Sequence, residues 1–374
     1  MEIPFIRGKV ALQAHVGLPQ GTVEEEYARN GFFGTYAHLY RTEPPVGWTR
    51  IEGPLRPRAF DLGKLQPVIS DDWLAGRHVL LENEDVRISS ARLSTPMPYV
   101  FRNADADEVL FVHEGAGRFE SDFGCLAYRA GDYLVVPRGT AYRLVPTSAS
   151  WVLLTEAFSE VTFPEKGMLG QHALFDPAVI RVPSPEEPTT LKPRPGGEYE
   201  LRILRTGELT SVFYPFSPLN TVGWKGTLSV LQLNVEDIRP VVSERYHLPP
   251  SAHSTFVMRN AVICTFLPRP LENGDPKALK VPFFHSNIDF DEVLFYHRGQ
   301  FFSRAGIGPG LVTLHPQGIH HGPQPGAVER SRSLTHTDEV AVMIDTRNPL
   351  RVVESTAAAT EIEGYLNSWK PKGK

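Results

Sequence analysis

The chain has 374 residues, of which 41% are hydrophobic and 22% charged, and its net charge is −5. These values suit one large or two medium globular domains and exclude disordered and fibrous proteins. The slightly acidic balance gives no basic surface for nucleic acid or for an anionic membrane, so neither is an expected partner. Two cysteines, Cys125 and Cys264, cannot form a disulfide framework or a thiolate zinc site. With no apolar run of about 20 residues and no N-terminal secretory pattern, the sequence predicts a cytoplasmic protein.

Prolines and glycines, 33 and 31 in number, are spread along the chain and leave room for only a few short helices. In chain order, residues 22–30 are predicted as the first helix, residues 183–198 as a Pro-rich linker and residues 354–369 as a C-terminal helix. The predicted strands are short runs of β-branched and aromatic residues: 109–113, 133–137, 151–155, 228–233, 293–297 and 340–344. Such runs, bounded by Gly, Pro and Asp, predict an all-β sandwich or barrel.

The chain contains an internal repeat. The segment 105-DADEVLFVHEG-115 matches 289-DFDEVLFYHRG-299, and farther on 131-GDYLVVPRGTAY-142 matches 310-GLVTLHPQGIHH-321. The spacing from Glu108 to Gly115 equals that from Glu292 to Gly299. The spacing from Gly131 to the following Pro-x-Gly equals that from Gly310 to its Pro-x-Gly. Two blocks in the same order, about half a chain apart, indicate a tandem duplication.

The paired blocks resemble the two motifs of the cupin superfamily. The second copy meets the second motif, Gly-x5-Pro-x-Gly-x2-His, in full between Gly310 and His321. The resemblance implies an all-β bicupin, made of two antiparallel jelly-roll (double-stranded β-helix) barrels. We place the N-terminal cupin half at residues 1–190, metal-free and structural, and the C-terminal cupin half at residues 191–374, with the metal site.

Only the second copy supplies a full set of metal ligands, namely His285, Glu292 and His321. Two imidazoles and one carboxylate with open coordination positions suit a non-haem Fe(II) centre that reacts with O2. His320 could replace its neighbour as a ligand, but the spacing after Pro-x-Gly selects His321. The sequence therefore predicts one mononuclear Fe(II) site in the C-terminal half.

The first copy has lost its imidazoles. Its matching positions carry Phe101 or Arg102, then Glu108, then Tyr142. A single carboxylate cannot bind a metal in the same way, which favours a structural role for this half.

Strand alternation sorts further candidates near the ligands. If Glu292 points into the barrel, Tyr296 does too, and we predict that Tyr296 contacts the substrate. His297 then faces outward, and it recurs as His113 in the metal-free copy, which favours a packing role for both.

Several more polar residues have competing interpretations. His315 lies on the strand before the Pro-x-Gly turn and is either a substrate contact or a plain strand residue. His247 and His253 lie in a loop, 246–256, that supplies acid–base groups or is merely exposed. Five histidines and two arginines are predicted to be structural or ion-paired: His15, His38, His78, His172, His336, Arg56 and Arg58.

At these residues the chain resembles the homogentisate 1,2-dioxygenases, in a shorter form found in some bacteria. The segments that carry the resemblance are 13–34, 44–48, 51–60, 214–224, 246–256, 284–292 and 320–326. The resemblance implies an Fe(II) enzyme of aromatic amino-acid catabolism that opens homogentisate with O2 to give maleylacetoacetate. The family's iron ligands fall on His285, Glu292 and His321, and a substrate-contacting His falls on His315. The family also implies a homo-oligomer, a trimer or a hexamer.

One position departs from the family pattern. Better-known members carry Trp-His-Gly where this chain has 224-WKG-226, so Lys225 replaces a His that acts on the substrate hydroxyl. Lys225, His247 and His253 are therefore all candidates for the catalytic acid–base group. The change motivates a different substrate, gentisate or a substituted hydroquinone. A Zn or Mn cupin isomerase or hydrolase, and a non-enzymatic bicupin that binds a small ligand, are also compatible with the sequence.

Overall fold

The computed structural model describes residues 5–65, 72–304 and 306–370. The strands of the first part of the chain are β1 (Val23–Ala28), β2 (Tyr36–Arg41), β3 (Arg58–Asp61), β4 (Arg77–Glu82), β5 (Val86–Leu93), β6 (Val100–Asn103), β7 (Asp107–Ser121), β8 (Gly124–Arg129), β9 (Asp132–Val136), β10 (Ala141–Ala157), β11 (Tyr199–Arg205) and β12 (Glu208–Tyr214). Those of the second part are β13 (Leu231–Asn234), β14 (Ser254–Met258), β15 (Ala261–Phe266), β16 (Arg269–Pro270), β17 (Phe284–Asn287), β18 (Asp291–Arg298), β19 (Leu311–His315), β20 (His336–Thr337), β21 (Val340–Thr346) and β22 (Arg351–Val352).

Helices are short and few within the described ranges. The α-helices are α1 (Ala327–Ser331) and α2 (Glu354–Thr360), and the 3-10 turns are Leu62–Lys64, Gly167–Leu169, Pro177–Val179, Val235–Asp237, Pro250–His253 and Tyr365–Trp369. None of the described helices is long and apolar enough to cross a bilayer. The prediction of an all-β cupin fold is confirmed.

The predicted helix at residues 22–30 is wrong, because this segment contains β1. That strand pairs in parallel with β17 and antiparallel with β2. Pairing with these strands, rather than the helix propensity of the segment, determines its extended conformation. The predicted C-terminal helix is present in part, as α2 followed by the 3-10 turn Tyr365–Trp369. The predicted linker, 183–198, has no helix or strand and makes one isolated bridge between Ser184 and Cys125.

Two large sheets hold the two copies of the repeat. One has 11 strands, with the path β12-β11-β6-β10-β5-β4-β22 and with β7, β8, β9 and β13 branching from it. The other has six strands in the order β14-β15-β21-β18-β19-β3. Equivalent pairings recur: Glu108 lies opposite Glu156 in the first sheet, and Glu292 lies opposite Asp345 in the second. The register thus supports the duplication seen in the sequence.

The sheets exchange strands across the predicted boundary at residue 190. β3, from the N-terminal part, pairs with β19 at the edge of the six-stranded sheet. In return β11, β12, β13 and β22 all join the 11-stranded sheet, with β22 pairing to β4. Strands from both sides of residue 190 therefore complete both sheets.

The glycine shared by the two first blocks has a steric reason. Gly115 and Gly299 both have φ of +92°, a left-handed conformation that favours glycine. A Cβ at Gly115 would lie 2.4 Å from the Ala149 carbonyl oxygen, and one at Gly299 would lie 2.3 Å from that of Asp338. Each glycine lets the chain pass close to a neighbouring stretch of backbone.

The two copies pack against each other through the outer faces of β7 and β18. The contact contains Phe111, Trp151 and Phe295, all buried. Within it the Nδ1 atoms of His113 and His297 lie 2.8 Å apart, in a hydrogen bond between the two sheets. The packing role predicted for these two histidines agrees with this position.

The histidine pair should make the protein acid-labile. Burial, aided by its neighbour and Arg92, lowers the pKa of His113 to about 3, and burial with Arg298 lowers that of His297 to about 4. Between pH 4 and the unfolded pKa of about 6.5 the unfolded chain binds protons that the native chain refuses, so stability falls as pH falls. Each imidazole should contribute about 3 kcal/mol to this loss. Replacing both histidines with glutamine should make the free energy of unfolding depend less on pH between 7 and 4. The number of protons taken up on unfolding should fall by about one to two.

An unchanged slope in the double variant, measured by chemical denaturation against wild type, would contradict this account. Buried histidines elsewhere in the chain remain in the variant, so the slope should be reduced rather than abolished.

Candidate metal centre

Three strands and one turn bring the predicted ligands together. His285 lies on β17 and Glu292 on β18, while His321 follows the Pro-x-Gly turn after β19. The backbones of His285 and His321 are joined by a reciprocal pair of hydrogen bonds, of 3.1 and 3.2 Å. A Cβ at Gly322 would lie 3.0 Å from the Phe284 Cα, so glycine there permits this close approach.

The ligand atoms converge on one point. The Glu292 Oε2 lies 3.4 Å from the His285 Nε2 and 3.3 Å from the His321 Nε2. The three ligand atoms all lie within 4.8 Å of one another. Glu292 and His321 are buried, and neither ring nitrogen of His321 has a hydrogen-bond partner. A buried imidazole without a partner is costly, and a metal ion would satisfy it.

Protonation states also suit a metal. Burial raises the pKa of Glu292, but His321, His285 and His315 outweigh it and hold this pKa well below its usual range. Burial lowers the pKa of His321, so its imidazole is neutral near pH 7. An ionised carboxylate beside neutral imidazoles is the form in which these side chains bind divalent metals.

Outer partners hold the ligands in place. The His285 Nδ1 donates to the Phe283 carbonyl oxygen at 3.2 Å, which leaves Nε2 free for a metal. His315 hydrogen-bonds the second oxygen of Glu292 at 2.8 Å through Nδ1, and its Nε2 lies 3.3 Å from the Tyr365 hydroxyl. His315, predicted to contact the substrate, is fully buried and is not among the residues that line the adjacent cavity.

A cavity of about 110 Å³ opens beside His285 and Glu292. Its walls combine apolar side chains, among them Phe266, Phe283 and Leu294, with a few polar groups. Besides His285 and Glu292, the polar residues that line it are Ser243, His253, Arg269, Glu272, Tyr296, Ser303, Arg304 and Glu339. Such a mixed, largely apolar pocket is typical of small-ligand sites.

The predicted catalytic and substrate residues separate into two groups. Tyr296 and His253 line the cavity; the Tyr296 hydroxyl lies 3.1 Å from that of Thr313, and the His253 Nδ1 has no partner. His247 is buried outside the cavity and stacks on Phe283, with 3.8 Å between ring centroids.

Lys225 is not brought to the triad. It is exposed beside Trp224, which packs against Phe123 of the 11-stranded sheet. His320 also points elsewhere, since its Nδ1 bonds to Glu25 on β1. The spacing argument that selected His321 over His320 agrees with this geometry.

The equivalent place in the first copy contains an arginine. Tyr142 lies opposite Phe101, as His321 lies opposite His285, which identifies Phe101 as the counterpart of the first ligand. Between them the Arg77 Nη1 lies 2.9 Å from Glu108, and the Tyr142 hydroxyl donates to Glu108 at 2.8 Å. Arg77 also lies 3.6 Å from Glu156. A guanidinium supplies the positive charge that a metal would supply in the second copy.

Several residues of the site were missed by the sequence reasoning. Arg304 lines the cavity and Asp345 lies opposite Glu292, yet neither belongs to a motif block. His15 and His38, predicted to be structural, lie in a cluster with Glu24 and Glu26 of β1. Arg58 does form the predicted ion pairs, with Glu354 and Glu361.

Comparison with known proteins identifies the family of the chain. A family model described as the N-terminal part of homogentisate 1,2-dioxygenase matches residues 73–234. A relative from Saccharolobus solfataricus, provisionally named a dioxygenase, is 34% identical over 92% of this chain and 92% of its own length. The chain belongs to the homogentisate 1,2-dioxygenase family. It is a dioxygenase of that family, so its reactants are a small molecule and O2.

Further matches are more distant. Homogentisate 1,2-dioxygenases from Nitrobacter hamburgensis and Bradyrhizobium diazoefficiens are 27% and 25% identical, each over 72% of this chain. The chain spans 62% of the length of these two relatives. A solved cupin-2 barrel protein from Leptotrichia buccalis covers 72% of this chain and 89% of its own, at 10% identity and a TM-score of 0.30.

Proposed function

We propose that this protein is an Fe(II)-dependent ring-cleaving dioxygenase that opens homogentisate with O2 to give maleylacetoacetate. The observation that carries the proposal is a two-His, one-carboxylate set, two of whose members, His285 and Glu292, line a cavity that Arg304 also lines. The triad suits Fe(II) and O2, and the arginine suits a substrate with a carboxylate.

His285, Glu292 and His321 would hold the iron through Nε2, Oε2 and Nε2. Fe(II) bound there would supply a redox centre with up to three open positions, enough for a bidentate aromatic substrate and O2. His315 and Tyr365 keep Glu292 oriented, and aromatic side chains such as Phe266 and Phe283 supply apolar walls for the cavity.

Arg304 supports recognition of an acidic side chain. It is buried, its Nη1 donates to the Gly322 carbonyl oxygen at 2.6 Å, and its Nε has no partner. No ion pair of Arg304 is found among the described residues. Arg269, by contrast, already lies 3.7 Å from Glu339. A buried cation next to the triad that has no carboxylate oxygen within 4.0 Å among the described residues favours a carboxylate ligand.

Among the three acid–base candidates we favour His253. It lines the cavity and its Nδ1 is free, whereas His247 lies behind Phe283 and Lys225 is exposed. Burial lowers the pKa of His253 to about 3, so its imidazole is neutral. Such a weak base serves best as a hydrogen-bond acceptor that orients a substrate hydroxyl.

The remaining proposals follow from the family. We propose a cytoplasmic homo-oligomer, trimer or hexamer, that serves tyrosine and phenylalanine degradation. We also propose that the N-terminal half is structural and binds no metal. The position of Arg77 supports this, because its guanidinium contacts Glu108, the counterpart of Glu292, where a metal ion would otherwise bind.

A direct test uses protein purified without oxygen and loaded with Fe(II). Homogentisate, gentisate and hydroquinone would be added in turn, followed by air, while O2 uptake and the absorbance of the opened ring are recorded. The proposal expects rapid uptake with homogentisate and at least about tenfold less with the other two. Faster O2 uptake with gentisate than with homogentisate would make gentisate the assigned substrate. Absence of uptake with all three diphenols would reject ring cleavage.

Replacing Arg304 with methionine should weaken binding of homogentisate by about 10- to 100-fold, because a charged hydrogen bond contributes about 1.5–3 kcal/mol. The effect should appear in KM for O2 uptake. The matched ligand is 2,5-dihydroxyphenylacetamide, which has no carboxylate; its inhibition constant should be equal in wild type and variant. Equal losses for acid and amide would assign Arg304 a structural role instead.

A further inference from the structure

The hairpin β1–β2 has a counterpart in the metal-free copy of the repeat, the hairpin β11–β12. β1 pairs in parallel with β17, which carries the proposed iron ligand His285. β11 pairs in parallel with β6, which carries Phe101, the counterpart of that ligand. The two hairpins therefore lie beside equivalent strands, and each comes from the opposite side of residue 190. The duplication thus extends beyond the two motif blocks.

An equivalent aspartate holds the turn of each hairpin. The Asp105 carboxylate accepts from the backbone N–H groups of Thr206 and Gly207, at 2.6 and 3.0 Å. Asp289, at the matching place in the second block, accepts from the backbone N–H of Asn30 at 2.7 Å. Thr206 and Asn30 also share a left-handed conformation, with φ of +53° and +56°. These common features align the two turns residue by residue.

The turn that belongs to the metal-bearing copy is three residues longer. In the β11–β12 turn, two residues, 206–207, lie between the paired ends of the strands. In the β1–β2 turn the equivalent ends are Arg29 and Thr35, joined by a backbone hydrogen bond of 3.0 Å, and five residues, 30–34, lie between them. The additional residues are Phe32, Phe33 and Gly34.

This insertion brings Phe32 to the metal centre. The ring centroids of Phe32 and His285 lie 5.8 Å apart, with the planes inclined at 59°, which is contact distance for two aromatic rings. The His285 side chain is 13% exposed, against 11% for Glu292 and 3% for His321, so it is the ligand with the least cover. Phe33, the next residue of the insertion, is 69% exposed.

The backbone of Phe32 is strained. Its φ is +67°, a left-handed conformation that bulky side chains rarely adopt and that glycine adopts freely. Neighbouring contacts enforce it, since the Asn287 side-chain oxygen accepts from the Gly31 N–H at 3.3 Å, two residues beyond His285. Backbone strain that is held in place by its surroundings is concentrated at functional sites. The ring is therefore kept at this position against the preference of its own backbone.

We propose that Phe32 is a positioning residue, which packs against the His285 imidazole and keeps its Nε2 directed at the metal. The proposal rests on the assignment of His285 as an iron ligand. The His285 Nδ1 already donates to the Phe283 carbonyl oxygen at 3.2 Å. A hydrogen bond at one ring nitrogen and a packed neighbour together restrict rotation of the imidazole, and such support determines how precisely a ligand is oriented.

The test uses Co²⁺ as the probe, because its visible absorption bands report the geometry of its ligands. It needs no turnover, so it is independent of the substrate. Co²⁺ is titrated into the apoprotein, and the signal is assigned to the triad by its loss in His321→Ala. Phe32→Ala should weaken Co²⁺ binding about tenfold and shift the bands. Phe32→Leu, which restores a large apolar side chain, should recover most of the affinity.

Phe33→Ala is the matched control, because it shortens the exposed neighbour in the same insertion; its affinity and bands should equal those of wild type. Phe32→Gly separates positioning from stability. Glycine relieves the backbone strain, so its apoprotein should unfold at a higher urea concentration than that of Phe32→Ala, while Co²⁺ binding stays equally weak.

Wild-type affinity and bands in Phe32→Ala would overturn the role of Phe32, as would equal losses in Phe32→Ala and Phe33→Ala. A Co²⁺ affinity that simply followed the urea midpoint across the variants would also overturn it, because the ring would then serve stability alone. A wild type that bound no Co²⁺ would reject the metal centre itself, and the role of Phe32 with it.

Discussion

Replacing His321 with alanine is expected to lower O2 uptake with homogentisate by more than about 100-fold. Loss of an outer partner of a metal ligand commonly costs 10- to 100-fold, so loss of a ligand should exceed that range. His321 is a sensitive place for the test, because its imidazole is buried, neutral and without a partner in the chain. Iron content and uptake should be measured on the same anaerobic sample, so that loss of metal and loss of chemistry are separated.

His320→Ala is the matched control, since the two histidines are adjacent in the sequence and differ in direction. His320 bonds to Glu25 on β1 and is the more exposed of the two. The control should retain one iron at the triad and most of the activity. If both variants lose iron equally, or if His321→Ala keeps it, the proposed ligand set is incorrect.

The second large effect is expected in the other half of the molecule, where Arg77→Met should destabilise the fold by about 3–5 kcal/mol. The substitution removes the cation between Glu108 and Glu156, and a buried ion pair that loses one partner leaves an uncompensated charge. Both carboxylates are buried. The midpoint of urea unfolding should fall accordingly, while the iron content of the folded fraction stays unchanged.

Arg129→Met is the control, because Arg129 lies on β8 of the same sheet, pairs with Glu236 at 3.1 Å and has a side chain that is 58% exposed. An exposed pair of this kind contributes about 0–1 kcal/mol. Adding Glu108→Leu to Arg77→Met should restore part of the lost stability, since burying an apolar side chain costs less than burying an unpaired charge. Equal effects of Arg77→Met and Arg129→Met would show that the arginine does not replace a metal.

The repeat made most of the fold and the proposed metal ligands predictable. The match between the two blocks predicts the cupin fold, and the absence of imidazoles in the first copy separates the two halves. Four of the six predicted strand runs lie within observed strands, while the run at 133–137 extends one residue past β9 and the run at 228–233 overlaps β13. Local patterns were sufficient there because each block carries its own turn glycines and its own alternation.

Residues without a partner nearby in sequence were not predictable. The three glutamates of β1 suggested a helix, because glutamate is a good helix former. In the structure they are buried in a strand, and two of their partners lie far along the chain: His320 contacts Glu25, and His247 contacts Glu26. Arg304 was missed for the same reason, since only the tertiary fold places it beside the triad.

The exchange of strands between the two sheets bears on how such a protein can be divided. Cutting near residue 190 would take β3 away from β19 and β22 away from β4, and would strip β11, β12 and β13 from the 11-stranded sheet. Each fragment would then present open strand edges, which pair readily with other chains and promote aggregation. The duplicated halves are thus no longer interchangeable modules. The two halves therefore evolve as one folding unit, because recombination or truncation at the linker would remove strands from both sheets.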